Sequence, residues 1–174
     1  MKKSCFVLLC LFPLLSCSQN KNPDSLSPKT PIQKFSTLRF EADGKPCLAS
    51  INNRYIGFKE KAKFSLSLFI TVNTIGKNKD GHPDEKEALV FNTLQTGIIS
   101  ELSKILGTYC YAGTTTMTNY RDILLYIKPE DQKKATEILE KFKPGNSRLA
   151  SYTFEKDSEW EAVASFYEAI GNLN

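Results

Sequence analysis

The chain has 174 residues, 41% of them hydrophobic and 24% charged, and a formal net charge of +4. Lys2 and Lys3 account for two of the four excess positive charges, so the rest of the chain is nearly neutral. This balance argues against the nucleic-acid-binding classes, which need a basic patch, and no nucleic-acid partner is predicted.

The first sixteen residues have the parts of a secretory signal peptide. After the two lysines comes an apolar run over residues 5–15, followed by a small residue, Ser16. The run is shorter than the roughly 20 apolar residues that cross a bilayer, so no transmembrane helix is predicted here. We therefore assign residues 1–16 to a signal peptide.

Lipidation of Cys17 is predicted from the end of this segment. The run Leu14-Leu15-Ser16-Cys17 resembles the bacterial lipobox, which implies a diacylglycerol on the Cys17 thiol and cleavage just before that residue. Two or three acyl chains hold a protein stably at a membrane, whereas one chain is marginal. The alternative is an ordinary signal peptide in which the cysteine is incidental.

Residues 17–34 are predicted to be a disordered tether between the lipid and the folded part. They are polar and contain Pro23, Pro28 and Pro31, a composition that buries little apolar surface. Position 18 is Ser rather than the Asp that tends to retain lipoproteins at the inner membrane of diderm bacteria. In a diderm host the predicted location is therefore the periplasmic face of the outer membrane.

Residues 35–174 predict a single α+β domain, which begins with three strands. Residues 37–41 and 47–52 alternate in polarity around Asp43-Gly44, a strong two-residue hairpin turn. After a polar loop, residues 64–72 form the clearest strand, with one fully apolar face.

The rest of the domain predicts three helices and three strands. The first helix follows a polar loop and begins with a capping box of Asp84 and Glu87. A second capping box, Ser158 with Glu161, is predicted to begin the last helix. The predicted buried stripe of the first helix is Phe91, Leu94, Ile98, Leu102 and Ile105. The middle helix is predicted to run from Pro129 to about Phe142. The later strands are predicted at residues 109–118, 121–128 and 148–155.

The predicted order contains β-α-β-β-α-β, the ferredoxin-like split unit. We therefore expect a ferredoxin-like antiparallel sheet with helices mainly on one face. An N-terminal hairpin and a C-terminal helix are additions to that unit.

Four motifs, taken in order, resemble the domain of unknown function family 695. The resemblance spans about Thr37 to Ile170 and implies a fold but no chemistry. His82 replaces an aliphatic residue of the family pattern, and Thr114 stands where the family often has Arg. The motifs are residues 43–51 (DGKPCLASI), residues 80–83 (DGHP) with Glu85 and Glu87, residues 111–113 (YAG) with Thr115, Arg121, Leu125 and Tyr126, and Asp157 with Trp160 and Phe166.

Two cysteines remain in the folded part, Cys47 and Cys110. In an oxidising compartment an even pair suggests a disulfide, and the alternative is two buried free thiols. A catalytic thiol would need His82, the one histidine of the chain, as its base, and no Cys-His motif surrounds either cysteine.

The residues that carry recognisable chemistry are few. A lone histidine and two scattered cysteines do not make a zinc site, which needs three or four close ligands, and no cofactor is predicted. The acidic residues near the first helix suit the positive end of its dipole, although they also suit a cation or a partner. The candidate interaction residues are Asp80, His82, Glu85, Tyr111 and Arg121.

The leading functional hypothesis is a lipid-anchored, non-enzymatic binding or interaction module with an envelope protein as its partner. The alternative is an envelope hydrolase that acts on glycans through two carboxylates held in a cleft. A third reading is a binder of small ligands.

Overall fold

The computed structural model describes residues 34–172. The predicted signal peptide, Cys17 and all but the last residue of the tether lie outside the described residues. Within residues 34–172, no helix is long and apolar enough to cross a membrane.

Every element predicted for the folded part is present and in the predicted order. Short 3-10 turns at Asn53–Tyr55 and Lys61–Phe64 occupy the predicted loop before the third strand. The strands are β1 (Phe35–Ala42), β2 (Lys45–Asn52), β3 (Leu66–Asn73), β4 (Cys110–Thr116), β5 (Tyr120–Ile127) and β6 (Leu149–Lys156); the helices are α1 (Glu85–Leu106), α2 (Gln132–Phe142) and α3 (Glu161–Gly171).

The six strands form one sheet in the order β1-β2-β4-β5-β3-β6, and every neighbouring pair is antiparallel. The predicted α+β class is therefore confirmed. The β1–β2 hairpin turns at Asp43 and Gly44, which both have positive φ, as this two-residue turn requires.

Helices pack on both faces of the sheet. Helices α1 and α2 lie on one face, which we call the α1 face, against apolar side chains of β3, β5 and β6. Helix α3 lies on the opposite face, the α3 face, against side chains of β2, β4 and β5. Two of the three helices thus share a face as predicted, while the added C-terminal helix covers the other one.

A β-bulge in β4 decides which of its side chains lie on each face. The register shifts between Tyr111 and Gly113, so Ala112 is the extra residue. Tyr111 and Thr114 pair with neighbours on the α1 face, although three residues separate them along the strand. An unbroken strand would place residues so spaced on opposite faces.

Both predicted capping boxes differ from the observed caps. Asp84 begins α1 and accepts a hydrogen bond from the Glu87 N–H at 2.8 Å, but the Glu87 carboxylate instead accepts bonds from Ile75 and Arg148. At α3 the cap is Asp157 rather than Ser158, because the Asp157 carboxylate accepts bonds from the first two N–H groups of the helix.

One residue of the predicted buried stripe of α1 is exposed. Ile105 is 48% exposed, and Leu106 is buried in its place. The last turn of α1 therefore packs against the core through Leu106 rather than through Ile105.

Candidate functional site

Part of the α1 face carries no helix among the described residues. The core beneath α1 and α2 contains side chains of β3, β5 and β6 but none of β1 or β2. On β1, Thr37 and Arg39 point to this side and are exposed, and they pair with Ser50 and Leu48 of β2. We call the α1 side of β1, β2 and β4 the open sheet face.

One groove crosses the open sheet face next to α1, and we call it the Arg121 groove. Its volume is about 400 Å³, which lies at the small end of the range of ligand sites. Ser50 and Thr114 form its floor, and α1 forms one wall. The lining residues are Phe35, Ser50, Asn92, Gln95, Tyr111, Thr114 and Arg121.

Arg121 lies half-buried at the end of this groove without an acidic partner. Its guanidinium carbon lies 3.7 Å from the centre of the Phe91 ring. Its Nε is buried and has no hydrogen-bond partner among the described residues. Burial lowers the pKa of Arg121, an effect that the nearby Tyr111 opposes, yet an arginine stays charged in proteins. A charge with so little compensation is costly to bury.

Tyr111 forms the aromatic wall of the Arg121 groove together with Phe35. The two ring centres lie 5.8 Å apart, and the Tyr111 hydroxyl accepts a hydrogen bond from Gln95 Nε2 at 2.9 Å. Burial raises the pKa of Tyr111 to about 12. The hydroxyl therefore keeps its proton at neutral pH and can donate it.

A second groove, the His82 groove, lies on the same face beside the loop that precedes α1. The side chain of Asn78 shapes this loop by accepting hydrogen bonds from the N–H groups of Asp80 and His82. The lining residues of this groove, about 270 Å³ in volume, are Arg39, Pro46, Cys47, Leu48, Asp80 and His82.

The His82 ring links the loop to the hairpin. His82 Nε2 lies 2.7 Å from the Pro46 carbonyl oxygen, so this nitrogen carries the proton that the carbonyl accepts. The Cys47 thiol donates to the carbonyl of Lys45 instead. The two side chains therefore do not form the thiol–imidazole pair that nucleophilic catalysis needs.

The structure places four of the five candidate interaction residues in the two grooves, two in each. Asp80 and His82 line the His82 groove, and Tyr111 and Arg121 line the Arg121 groove. Glu85 lies exposed in the first turn of α1 and lines neither groove. The fifth candidate is thus separate from the site.

Sequence reasoning missed several groove residues. Gln95 and Asn92 lie beside the buried stripe of α1, and Phe35 lies at the predicted start of the domain. The helical period alone indicates that the first two flank the buried face. No local signal indicates that they face Ser50 and Thr114.

The family of unknown function DUF695 matches residues 33–167. The chain belongs to this family. No curated protein and no solved structure matches it. All residues that line the two grooves of this DUF695 chain lie within the matched range.

The acidic groups of the two grooves are few. Asp80 is the one carboxylate among the residues that line the His82 groove, and the lining of the Arg121 groove contains none. Within residues 34–172 no three His, Cys, Asp or Glu side chains are grouped to hold a metal ion. The grooves of this DUF695 chain therefore offer hydrogen bonds and positive charge rather than paired carboxylates.

The two cysteines are free, which corrects the disulfide considered from the sequence. Leu48, next to Cys47, pairs with Thr116, whereas Cys110 stands at the far end of β4. At about 3.3 Å per residue, the two cysteines lie roughly 20 Å apart along the strands. A disulfide needs Cα atoms within about 7 Å. Burial also raises the pKa of the Cys110 thiol to about 11, so this thiol is unreactive at neutral pH.

Proposed function

We propose that this DUF695 protein is a lipid-anchored envelope protein that acts as a non-enzymatic binding module, with the open sheet face as its binding surface. One observation carries the proposal: Asp80, His82, Tyr111 and Arg121 line two grooves on the part of the sheet that no described helix covers. A surface of this kind, with convergent polar groups beside aromatic rings, is the usual form of a binding site.

The partner in this proposal is another protein of the envelope. The open sheet face ends at β1, which is an edge strand of the sheet. The unpaired backbone groups of an edge strand point outward in the plane of the sheet, so they can bond to an extended segment of the partner that lies alongside β1. Arg39 and Arg121 give the face positive charge, which favours a partner with acidic groups.

Attachment to the membrane is the second part of the proposal. It rests on the run Leu14-Leu15-Ser16-Cys17 and on the polar, proline-containing residues that follow. The anchor is a lipid on Cys17, which in a diderm host holds the protein at the periplasmic face of the outer membrane. Labelling of cells with an alkyne analogue of palmitate tests the anchor: the chain should take up label, and Cys17→Ser should abolish it.

The finer classification of the fold as ferredoxin-like belongs to the same proposal. The order β6-β3-β5-β4, with α1 after β3 and α2 after β5, supports it. In this view β1, β2 and α3 extend the unit. The extension by β1 and β2 supplies most of the open sheet face.

Photo-cross-linking in cells tests the binding surface. A photoreactive amino acid replaces Thr37, which is exposed on the open sheet face, or Lys133, which is exposed on α2. We expect one or two envelope proteins to cross-link at Thr37 and none of them at Lys133. Cross-links of the same proteins at both positions, or none at Thr37, would contradict the proposed surface.

The glycan-hydrolase alternative has less support. It needs two carboxylates about 5–9.5 Å apart in a cleft. The described residues that line the two grooves supply one carboxylate, Asp80, and the other charged residue of its groove is Arg39 rather than a second acid.

A further inference from the structure

The Arg121 groove holds one positive charge that the described part of the protein leaves without an anion. The residues that share the groove with Arg121 are all neutral, and its Nε has no hydrogen-bond partner among residues 34–172. Buried charges are normally paired, because an unpaired one loses its hydration without replacement. An anionic group in the groove would supply the missing pairing.

The position of the guanidinium group is fixed before any ligand arrives. Its central carbon lies 3.7 Å from the centre of the Phe91 ring, which supports one flat side of the group. Phe91 is itself buried in the core beneath α1. A planar fork held in this way suits a planar acceptor with two oxygen atoms, because both can accept from it at once.

The charge and the size of the groove limit the class of anion. One guanidinium balances one negative charge, whereas a phosphate monoester carries about −1.5 to −2 at neutral pH. A groove of about 400 Å³ lies at the small end of ligand sites. These properties favour a carboxylate on a group of about the size of one or two amino acids.

The aromatic wall indicates what stands next to the carboxylate. The rings of Phe35 and Tyr111 lie 5.8 Å apart, and Phe35 is 38% exposed. An apolar side chain beside the carboxylate would cover this exposed ring surface. Gln95 and Asn92 add amide groups that can bond to a peptide or another polar group.

We propose that the Arg121 groove binds a carboxylate that stands beside an apolar group, as at the end of a polypeptide chain, with Arg121 as its bidentate partner. This inference rests on the proposed binding function and names the chemistry recognised at that surface. A free organic acid of small size offers the same chemistry, and the experiment separates the two sources.

Titrations of the full chain in mild detergent, followed by NMR, test the inference. The probes are N-acetyl-alanyl-phenylalanine, its C-terminal amide, 3-phenylpropionate and inorganic phosphate. We expect the peptide acid to bind about tenfold to a hundredfold more tightly than its amide. Tighter binding of the peptide acid than of 3-phenylpropionate indicates a chain end, and equal binding indicates a free acid; both support carboxylate recognition.

Variants locate the binding in the groove. Arg121→Gln should weaken the peptide acid at least about tenfold, as expected for the loss of a charge-assisted pair. Arg54→Gln is the matched control, because Arg54 also lies over an aromatic ring, that of Tyr55, but outside the groove. Asn92→Trp fills the groove from an exposed position of α1 and should abolish binding even if Arg121→Gln does not fold.

Three results would overturn the inference. They are equal affinity for the acid and its amide, equal losses from Arg121→Gln and Arg54→Gln, and tighter binding of phosphate than of the peptide acid. If neither acid binds while cross-links at Thr37 persist, the inference fails and the proposed binding function stands. If the cross-links at Thr37 are also absent, the proposed function fails as well.

Discussion

The indole ring of Trp160 lies parallel to the ring of Tyr126, with their centres 4.0 Å apart. Trp160 Nε1 donates a hydrogen bond to the carbonyl of Phe64 at 3.0 Å, and the Tyr126 hydroxyl donates to Asp157 at 2.7 Å. Trp160 also has a φ of +62°, an uncommon conformation for a bulky residue. The stacked pair thus joins the start of α3 to the sheet and holds a strained backbone in place.

Replacement of Trp160 should therefore destabilise the protein strongly. Trp160→Ala removes a fully buried side chain, and we expect a loss of about 3–5 kcal/mol in the free energy of unfolding. Urea unfolding followed by circular dichroism measures it, because Trp160 is the one tryptophan of the chain and fluorescence is lost with it. Leu89→Ala, at an exposed site on α1, should cost little, and similar losses for both variants would contradict this role.

The cap of α3 gives a second prediction. The Asp157 carboxylate accepts bonds from Tyr126 and from the N–H groups of Glu161 and Ala162. Burial acts to raise the pKa of Asp157, but these hydrogen bonds outweigh it and the pKa is lowered. Asp157→Ala should lower the thermal midpoint with a loss of about 1–2 kcal/mol. Ser158→Ala should be nearly neutral, and the reverse ranking would restore Ser158 as the cap.

The ion pair between Glu87 and Arg148 predicts a specific dependence of stability on pH. Two hydrogen bonds from Arg148 are the main cause that lowers the pKa of Glu87 from about 4.5 to about 2. The folded state thus binds this proton less readily than the unfolded state. The stabilisation is therefore complete above about pH 4.5 and is lost as the pH falls towards 2.

Comparison of Glu87→Gln with the parent chain checks this dependence. Glu87 is 6% exposed, so we expect the variant to lose about 2–3 kcal/mol at pH 7, since Arg148 is left without its partner. The difference should shrink below pH 4.5. Glu101→Gln breaks an exposed pair with Lys104 and should cost less than about 1 kcal/mol. A difference for Glu87→Gln that does not change between pH 7 and pH 3 would contradict the assignment.

Two glycines should respond in opposite ways to substitution by alanine. A Cβ atom on Gly113, which has a φ of +150°, would lie 2.2 Å from the carbonyl oxygen of Ser50. Gly113→Ala should therefore cost about 2–4 kcal/mol. Gly97 lies within α1, where a Cβ atom would meet the Phe142 ring at an ordinary 3.8 Å, so Gly97→Ala should stabilise by up to about 1 kcal/mol. Chemical unfolding of both variants tests the pair, and a loss of the same size from each would count against the contact at Ser50.

The free cysteines predict slow reaction with alkylating reagents. Cys47 and Cys110 are both buried, so in the folded chain neither should be labelled at neutral pH, and both should be labelled in urea without prior reduction. Peptide mapping by mass spectrometry distinguishes them from the cysteines of residues 1–17. A peptide that contains Cys47 linked to Cys110 would show that the disulfide forms after all.

The sequence was sufficient to predict the elements but not their long-range contacts. The alternation of residues 64–72 and the helical stripe from Phe91 to Leu102 depend on neighbours along the chain, and both elements formed as predicted. The bond between Glu87 and Arg148 and the link from Asp157 to Tyr126 join residues far apart in sequence. No local pattern indicates that these carboxylates bond to residues so distant in the sequence.

The candidate site was predicted in part for the same reason. Arg121 and Tyr111 were identified from motifs, whereas their neighbours Gln95 and Ser50 follow only from the packing of α1 beside β4 and from strand register. The even count of cysteines in the folded part suggests a disulfide, but a count gives no information on which residues face each other across the sheet. Once β2 and β4 are paired, their register excludes it.

Strand β4 contributes to both faces of the sheet around the extra residue Ala112. Before the bulge, Cys110 contributes to the packing beneath α3. After the bulge, Thr114 faces the groove, and Tyr111 faces the same side of the sheet as Thr114. Deletion of Ala112 would leave Tyr111 two positions before Thr114, so both would stay on the α1 face and Cys110 on the α3 face, and only the alanine beneath α3 would be lost. The bulge therefore adds one residue to the packing beneath α3 and leaves the side chains that face the groove where a regular strand would place them.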